Sequence, residues 1–279
     1  MRILVTGGCG FIGKNLINNL VHKHTVMCLD NNLTSTMAET VEGCEYIYGN
    51  TKDCMMLSHN NFDLIYHLGE YSRVERSFED IDIVFENNWN SIYQVLKLAK
   101  DCNAKLVYAG SSTKFGDNDT NYRESPYAFT KYCNAELVKT YCDWHNLRYA
   151  ITYFYNVYGE GEIDNGPYAT VIGKFLRAKK EGKKVDITGD GKQVRNFTHI
   201  EDIVDALMIV AEKGQGDRFG IGSDVSYSIL QVAELLDLDY RFIPDRRGNR
   251  KISSLITKNT RDLGWKPKKD LQNYLKKVR

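Results

Sequence analysis

The sequence predicts an α/β protein with a doubly wound parallel sheet and a smaller C-terminal lobe, and three observations support this prediction. Short apolar runs rich in β-branched residues alternate with longer amphipathic segments through the first half of the 279 residues. Gly, Ser, Asn or Asp follows several of these runs directly. The chain is long enough to bury a large core, and it contains four prolines and no evident linker. Strands separated by helices pair in parallel and bind ligands at their carboxyl ends.

The first thirty residues are the clearest part of this pattern. Residues 2–6 form an apolar run typical of a strand that is buried on both faces. A glycine-rich stretch follows, and residues 14–21 then carry apolar side chains at helical spacing. Residues 25–29 predict a second strand, which ends at Asp30. This order predicts the βαβ unit of a Rossmann-like, dinucleotide-binding sheet.

The glycines between the first strand and the first helix are spaced Gly-x-x-Gly-x-x-Gly. Gly7 allows a tight turn, Gly10 lets a pyrophosphate approach bare backbone, and Gly13 lets helix and strand pack closely. The helix start at Phe11 and Ile12 supplies free N–H groups and a partial positive charge. Three glycines also occur in plain tight turns, but the flanking strand and helix favour a nucleotide site here.

Asp30 at the end of the second predicted strand indicates which dinucleotide is bound. Its carboxylate is placed to accept hydrogen bonds from a ribose diol, whereas it would repel a 2′-phosphate. The sequence therefore predicts NAD, in preference to NADP, as the cofactor.

Composition excludes several other classes of protein. The formal net charge is +1 with acids and bases interspersed, so nothing predicts a nucleic-acid partner or an anionic membrane surface. No apolar run approaches the roughly 20 residues that span a bilayer. The seven cysteines are scattered without a Cys-x-x-Cys pair, which predicts reduced thiols, a cytoplasmic location and no metal site.

The remaining elements divide the chain into two units. Further strands are predicted at 45–48, 63–68, 105–109, 149–152 and 184–187, and helices at 81–100, 125–145, 170–180, 201–213 and 228–236. The pattern is less regular after Tyr155. We therefore expect a NAD-binding domain made of residues 1–154 with 197–222, and a smaller lobe over the sheet made of residues 155–196 with 223–279.

Tyr127 and Lys131 lie four residues apart on a predicted helix, so their side chains share one face. A phenol is a poor base at neutral pH because its ordinary pKa is about 10. A cation about 4 Å away, at an effective dielectric constant of about 20, favours a phenolate by roughly 4 kcal/mol. Such a pair can take and return protons near neutral pH. A chance pair on a helix surface is the alternative, and the preceding dinucleotide motif disfavours it.

Two serines, Ser111 and Ser112, directly follow the strand predicted at 105–109. A hydroxyl here would lie at the carboxyl edge of the sheet, where it could share a substrate alcohol with Tyr127. A Ser/Thr turn that merely ends the strand is the structural alternative.

These motifs resemble the NAD-dependent nucleotide-sugar epimerase/dehydratase family, which belongs to the extended short-chain dehydrogenase/reductases. They occur in the family's order, namely Gly7-x-x-Gly10-x-x-Gly13, Asp30-Asn31, Ser111, Tyr127-x-x-x-Lys131, Asn156 and residues 195–202. The resemblance implies a NAD that stays bound and is reduced and reoxidised within one turnover. It implies Ser111 as a contact of the substrate hydroxyl, Tyr127 as the catalytic base, and Lys131 as the ribose contact that tunes the tyrosine.

The same resemblance implies further binding residues. Those for the cofactor are Asn31, Asn50, Thr51, Leu68, Gly69 and Asn87, and those for the substrate are Ser112, Asn156, Arg195 and Arg246. The two arginines match positions that hold a diphosphate, although a solvated surface arginine is the commoner case. Asn87 could equally be a solvated helix residue, and Asn156 a turn residue. Glu70 stands where relatives have a small or neutral residue, and the sequence offers no account of it.

The motif pattern is most similar to the UDP-glucose 4-epimerases of this family. The 4,6-dehydratases and the sugar-acid decarboxylases carry a carboxylate after the fifth strand, where residues 111–113 here carry only hydroxyls. We therefore expect inversion at C4 of a nucleotide sugar, most simply a UDP-sugar. A dehydratase with unfamiliar residues and a non-catalytic NAD-sensing scaffold remain alternatives. The two long helices resemble those that form a four-helix homodimer interface in the family.

Overall fold

The computed structural model describes residues 1–34, 40–115, 121–245 and 254–278. Thirteen strands are present in these ranges. In chain order they are β1 (Arg2–Thr6), β2 (Thr25–Asp30), β3 (Cys44–Tyr48), β4 (Leu64–His67), β5 (Lys105–Ser111), β6 (Tyr149–Phe154), β7 (Val157–Tyr158), β8 (Val185–Thr188), β9 (Val194–Asn196), β10 (Thr198–His199), β11 (Gly216–Ile221), β12 (Ser226–Ser228) and β13 (Tyr240–Ile243).

The same ranges contain nine α-helices. They are α1 (Phe11–Leu20), α2 (Ile81–Val84), α3 (Asn90–Asp101), α4 (Pro126–His145), α5 (Val171–Glu181), α6 (Ile200–Lys213), α7 (Ile229–Leu235), α8 (Lys258–Asp262) and α9 (Leu271–Val278). Among the described residues, no helix combines the length and the apolar composition that crossing a membrane requires.

Seven strands form one sheet in the order β11-β6-β5-β4-β1-β2-β3, and every neighbouring pair is parallel. The chain runs outward from β1 to β3 and then returns to place β4 on the other side of β1. The crevice at this reversal, outside the carboxyl ends of β1 and β4, is where such sheets bind ligands. The predicted doubly wound parallel sheet is confirmed.

The sequence pattern does not predict the elements β7, β9, β10, β12, β13, α8 and α9. Two elements of the main α/β unit also differ. The strand β11 at the sheet edge was missed, because its residues Gly216–Ile221 include a bulge and only three buried residues. The long helix predicted at 81–100 is interrupted by a π-helical turn at Phe85–Trp89, which separates α2 from α3. A π-turn inserts one extra residue into a helix without removing its apolar periodicity on either side, so the sequence pattern does not reveal it.

Buried side chains form three main clusters. Two of them cover the faces of the seven-stranded sheet, and a third lies among α5, α7, α9 and β8. The third cluster draws on both halves of the expected C-terminal lobe, including Ile172, Ile187, Val232 and Leu275. Trp265, which the expected division assigns to the lobe, packs against the sheet cluster. The division into residues 1–154 with 197–222 and 155–196 with 223–279 stays a prediction.

Candidate active site

A cleft at the carboxyl ends of β1 and β4 contains most of the expected cofactor residues. We call it the cofactor cleft. The expected residues that line it are Gly7, Gly10, Phe11, Ile12, Gly13, Asp30, Asn31, Thr51, Leu68, Gly69, Asn87, Tyr127 and Lys131. The fold therefore brings together segments that are more than a hundred residues apart in the chain.

The glycine-rich turn has the geometry that its spacing predicts. Gly7 has a φ of +71°, and a Cβ there would lie 2.7 Å from the Cα of Gly69 at the end of β4. A Cβ on Gly13 would lie 2.3 Å from the carbonyl oxygen of Gly7. Larger side chains at either position would push apart the turn, α1 and the neighbouring strand end. The start of α1 thus faces the cleft with backbone alone, as a bound diphosphate requires.

Asp30 is held in place by the backbone on both sides of the cleft. Its Oδ2 accepts a hydrogen bond from Cys9 N at 2.9 Å, and its Oδ1 accepts one from Asn32 N at 2.7 Å. Burial raises the pKa of this carboxyl, and the two N–H donors oppose that rise. Each carboxylate oxygen retains capacity for a second donor, so Asp30 can still accept the hydroxyls of a ribose.

Three of the expected cofactor residues form a hydrogen-bonded group. The side-chain amide of Asn31 donates to Asn50 Oδ1 at 3.0 Å and to Asn87 Oδ1 at 2.9 Å. Asn50 reaches the cleft through this contact, because it is not among the residues that line it. Asn87 lies in the π-helical turn and is directed towards Asn31. Asn87 is therefore part of the wall of the cofactor cleft and is not merely a solvated polar residue on a helix surface.

Helix α4 carries the predicted base and its lysine. The side chain of Ser125 accepts a hydrogen bond from Ala128 N at 3.1 Å, and Pro126 occupies the first helical position. This capped start fixes where α4 begins and so places Tyr127 in its first turn. Lys131 follows one turn later on the same face. Both side chains line the cofactor cleft.

Lys131 has a partner that the sequence did not reveal. Its Nζ lies 2.7 Å from Glu70 Oε2 and donates to the carbonyl oxygen of Ala109 at 2.6 Å. The Lys131 side chain is 7% exposed and that of Glu70 is 1% exposed, so the ion pair is buried. Two of the three ammonium N–H groups face protein acceptors, and the third remains for a ligand. The glutamate without an account in the sequence is thus the counter-ion of the predicted catalytic lysine.

The two serines lie at the end of β5, close to the cleft but outside its lining. Ser111 is 8% exposed, and its Oγ accepts hydrogen bonds from Thr113 N at 3.3 Å and Thr113 Oγ1 at 2.9 Å. It caps a short 3₁₀ turn at Ser112–Lys114. This is the turn role that the sequence left open. A contact between the substrate and Ser111 or Ser112 stays a prediction.

A second, wider groove of about 1140 Å³ adjoins the cofactor cleft, and we call it the substrate groove. Asn156 and Arg195, both expected to bind substrate, line it. Arg246 lies outside the described residues. The two spaces share Ser72, Arg73 and Thr170, so a ligand in the substrate groove can reach towards Tyr127.

Arg73 is a functional candidate that the sequence reasoning missed. It stands where the two spaces meet, and its Nε donates to the carbonyl oxygen of Tyr168 at 2.8 Å. Burial lowers the pKa of this guanidinium, and the nearby phenols of Tyr127 and Tyr71 oppose that effect. No motif marks Arg73, because its position follows from the loop after β4 and the segment before α5 meeting in space.

Comparison with known proteins identifies the family. A model described as the NAD dependent epimerase/dehydratase family matches residues 3–222. A UDP-N-acetyl-alpha-D-glucosaminuronate decarboxylase from Bacillus cytotoxicus is 32% identical over 253 residues, which cover 84% of this chain and 78% of that protein. A putative UDP-glucose 4-epimerase from Methanocaldococcus jannaschii is 30% identical over 298 aligned positions, which cover 99% of this chain and 96% of that protein.

Among solved structures, a UDP-N-acetylglucosamine 4-epimerase from Methanobrevibacter ruminantium in complex with UDP-N-acetylmuramic acid has the same fold. The TM-score is 0.89 at 25% identity, and the match covers 100% of this chain and 96% of that one. The family model spans the glycine-rich turn, Asp30 and the Tyr127–Lys131 pair, all of which the structure gathers at one cleft. The chain belongs to the NAD-dependent epimerase/dehydratase family, and NAD is its cofactor.

Proposed function

We propose that the protein is a nucleotide-sugar 4-epimerase that acts on a UDP-sugar and keeps its NAD bound through the reaction. One observation carries the proposal: Tyr127 and Lys131 line the cofactor cleft, and Tyr127 is near Arg73, which lines both the cleft and the substrate groove. A sugar attached to a diphosphate in that groove can reach the phenol and the nicotinamide end of the cleft together. Two of the three relatives described above are named as 4-epimerases, which supports the assignment.

The chemistry needs few groups from the chain. Tyr127 takes the proton of the C4 hydroxyl through its phenol oxygen and later returns a proton to the same oxygen. NAD held in the cofactor cleft would supply the hydride chemistry at C4, and the chain's own residues bind it, orient the sugar and move the proton. Lys131 presents positive charge to the phenol and a remaining N–H to the ribose. Asp30 holds the ribose at the far end of the cofactor.

Among the described residues that line the cofactor cleft, the two carboxylates are Asp30 and Glu70, and both are hydrogen-bonded, which favours epimerisation over elimination of water. Residues 111–113 offer only hydroxyls, and Glu70 is the carboxylate beside Tyr127 and Lys131 in the lining of the cofactor cleft. Glu70 is engaged by Lys131, by the Tyr108 hydroxyl at 2.9 Å and by the Asn134 amide at 2.9 Å. A carboxylate with these partners is a poor base for a sugar carbon. Hydroxyls alone suffice for oxidation and re-reduction at one carbon.

The test is incubation of the purified protein with UDP-, dTDP-, GDP- and CDP-sugars, with products identified by NMR. We expect one UDP-sugar to give a mixture of its two C4 epimers with no net formation of NADH. A 4-keto-6-deoxy product would identify a dehydratase instead. Bound NAD without any turnover in the whole panel would favour the non-catalytic scaffold.

We also propose that the protein is a homodimer through α4 and the segment from α2 to α3. Exposed aromatic side chains lie on both elements, and the Trp89 and Phe129 rings stack at 6.3 Å with an interplanar angle of 5°. Light scattering should give twice the 32.0 kDa chain mass, and Trp89→Glu should shift the protein towards monomer. Tyr48→Glu, on the exposed strand β3, is the matched control. A monomeric wild-type protein would rule out this interface.

A further inference from the structure

Glu70 directly follows the β4 strand end and is the centre of a buried polar group. Its side chain is 1% exposed, and four side chains from three elements surround its carboxylate. Lys131 Nζ lies 2.7 Å from Oε2, and the Tyr108 hydroxyl donates to the same oxygen at 2.9 Å. Asn134 donates to Oε1 at 2.9 Å, and His67 Nε2 lies 3.3 Å from that oxygen. The opposing charge of Lys131 and the polarity of His67 hold the pKa of Glu70 below its usual range although burial raises it.

His67 lies between the Thr6 hydroxyl and the Glu70 carboxylate. His67 is fully buried, and its Nδ1 lies 2.7 Å from the hydroxyl of Thr6. That hydroxyl oxygen also accepts a hydrogen bond from Gly69 N at 3.1 Å. Nε2, the other ring nitrogen, lies 3.3 Å from Glu70 Oε1. The strand end of β4 thus places the imidazole against the carboxylate that follows it.

The contact with Asn134 links Glu70 to the π-helical turn. The Asn134 amide donates both to Glu70 Oε1 and to the carbonyl oxygen of Asn88, each at 2.9 Å. Asn88 lies within the π-helical turn and is fully buried. A π-turn alters the regular backbone hydrogen bonds of a helix, so a carbonyl there can accept from a neighbouring side chain. Glu70 is therefore held from β4, β5 and α4 at once.

We propose that Glu70 is a positioning residue of the Tyr127–Lys131 pair: its buried carboxylate holds the Lys131 ammonium at the cofactor cleft and offsets part of the positive charge that Tyr127 experiences. The inference rests on the proposed function only for its kinetic readout. The glutamate and the Ala109 carbonyl engage two of the three N–H groups of the lysine and fix the position of its ammonium. A substitution at Glu70 alone therefore changes the net charge beside Tyr127 and Lys131.

The sign of the expected pH effect follows from electrostatics. A negative charge near two protonatable groups makes each proton harder to remove, and a neutral replacement makes each one easier to remove. Lys131 contacts Glu70 and lies one turn from Tyr127 on α4, so a change of charge at Glu70 acts on both groups in the same direction. Arg73, Tyr108 and His67 also face the group, and they are unchanged by substitution at Glu70. Both limbs of the pH–rate profile should therefore move to lower pH when the carboxylate charge is removed.

The experiment compares the holoenzyme with Glu70→Gln, which keeps the shape and removes the charge. We expect both limbs of kcat against pH to shift down by about one unit or more, with KM for the sugar nucleotide changed less than threefold. Glu70→Asp, which keeps the charge, should restore both limbs. Glu136→Gln is the matched control, because Glu136 also lies on α4 and pairs with a lysine, Lys114, but is 42% exposed. Unchanged limbs, or a shift to higher pH, would overturn the proposal.

Two further measurements keep the proposal testable under other outcomes. Ultraviolet titration of tyrosinate, taken as the difference between proteins with Tyr127 and with Tyr127→Phe, should show the same downward shift in Glu70→Gln. This readout needs no substrate, so it tests Glu70 even if the sugar panel shows no epimerisation. If Glu70→Gln fails to fold, Asn134→Ala loosens the same carboxylate without altering its charge. That variant should lower kcat severalfold with the limbs in place, and an unchanged kcat would count against the proposal.

Discussion

The cofactor cleft and the substrate groove differ in the chemical groups that line them. The cofactor cleft is made of glycine backbone and of polar side chains that are bonded to one another, as in the Asn31, Asn50 and Asn87 group. The substrate groove is lined by long charged side chains, and several of them form solvent-exposed ion pairs. Arg177 pairs with Glu181 at 2.7 Å, and Arg241 pairs with Asp186 at 2.5 Å.

This difference indicates how the two spaces respond to their ligands. The cleft is held by close approaches that permit little movement, which suits a cofactor that stays bound through turnover. The charged side chains of the groove are solvated and can exchange partners at small cost, since exposed ion pairs contribute about 0–1 kcal/mol each. A substrate diphosphate can therefore recruit such side chains. Three predictions test the contrast, from the largest effect to the smallest.

Tyr127→Phe should cause the largest loss, because it removes the proton acceptor while leaving the cleft intact. We expect kcat for epimerisation to fall by about 10²- to 10⁴-fold, the range that general acid–base groups contribute. The amount of NAD that copurifies with the protein should not change. Tyr240→Phe is the control, because this exposed tyrosine on β13 lines neither space. Retained activity in Tyr127→Phe would remove this residue from the mechanism.

Gly13→Ala should show that the cofactor cleft is rigid. The added methyl would lie 2.3 Å from Gly7 O, and overpacking of this kind costs about 1–3 kcal/mol. We expect a lower melting temperature and a loss of copurified NAD, measured by calorimetry and by the absorbance of the released nucleotide. Asn19→Ala on the exposed face of α1 serves as the control. Normal NAD content in Gly13→Ala would mean that the glycine-rich turn can move to accommodate the methyl group, which would contradict the rigidity of the cofactor cleft.

Arg195→Ala should leave the chemical step and the fold intact, and its effect should be confined to substrate binding. Loss of a charge-assisted hydrogen bond costs about 1.5–3 kcal/mol, so KM should rise about 10- to 100-fold with kcat nearly unchanged. Arg195→Lys should recover part of the loss. The control is Lys258→Ala, whose side chain is 83% exposed and pairs with Asp262. A fall in kcat with unchanged KM would place Arg195 in the chemical step instead of in binding.

Much of the fold and of the cofactor cleft follows from local sequence patterns. The first strand, the glycine-rich turn, α1 and Asp30 are contiguous, and each position has a backbone requirement that few residues satisfy. Gly7 with its positive φ is the clearest case. The Tyr127–Lys131 pair is likewise fixed by helix geometry alone. In the described structure these residues line one cleft, where the sequence expects them, although their contacts with ligands stay predictions.

The contacts that the sequence did not reveal all depend on segments meeting in space. Glu70 and Lys131 are 61 positions apart, and nothing near Glu70 in the chain indicates a lysine partner. Arg73 acquires its place at the junction of the two spaces from Tyr168, 95 positions away. Strand β11 was missed because it pairs only at the sheet edge and interrupts its own register. Side-chain pairs of this kind leave no periodic signal in a single sequence.

The π-helical turn at Phe85–Trp89 makes the chain sensitive to the loss of a single residue. In a regular α-helix each residue advances the direction of its side chain by about 100°. Deleting one residue from this turn would rotate α2 and all that precedes it by that angle relative to α3. The Asn87 amide and the Asn88 carbonyl could then no longer face Asn31 and Asn134 together. A relative whose sequence aligns here with a one-residue gap should therefore lack the contacts that these two residues make with Asn31 and Asn134.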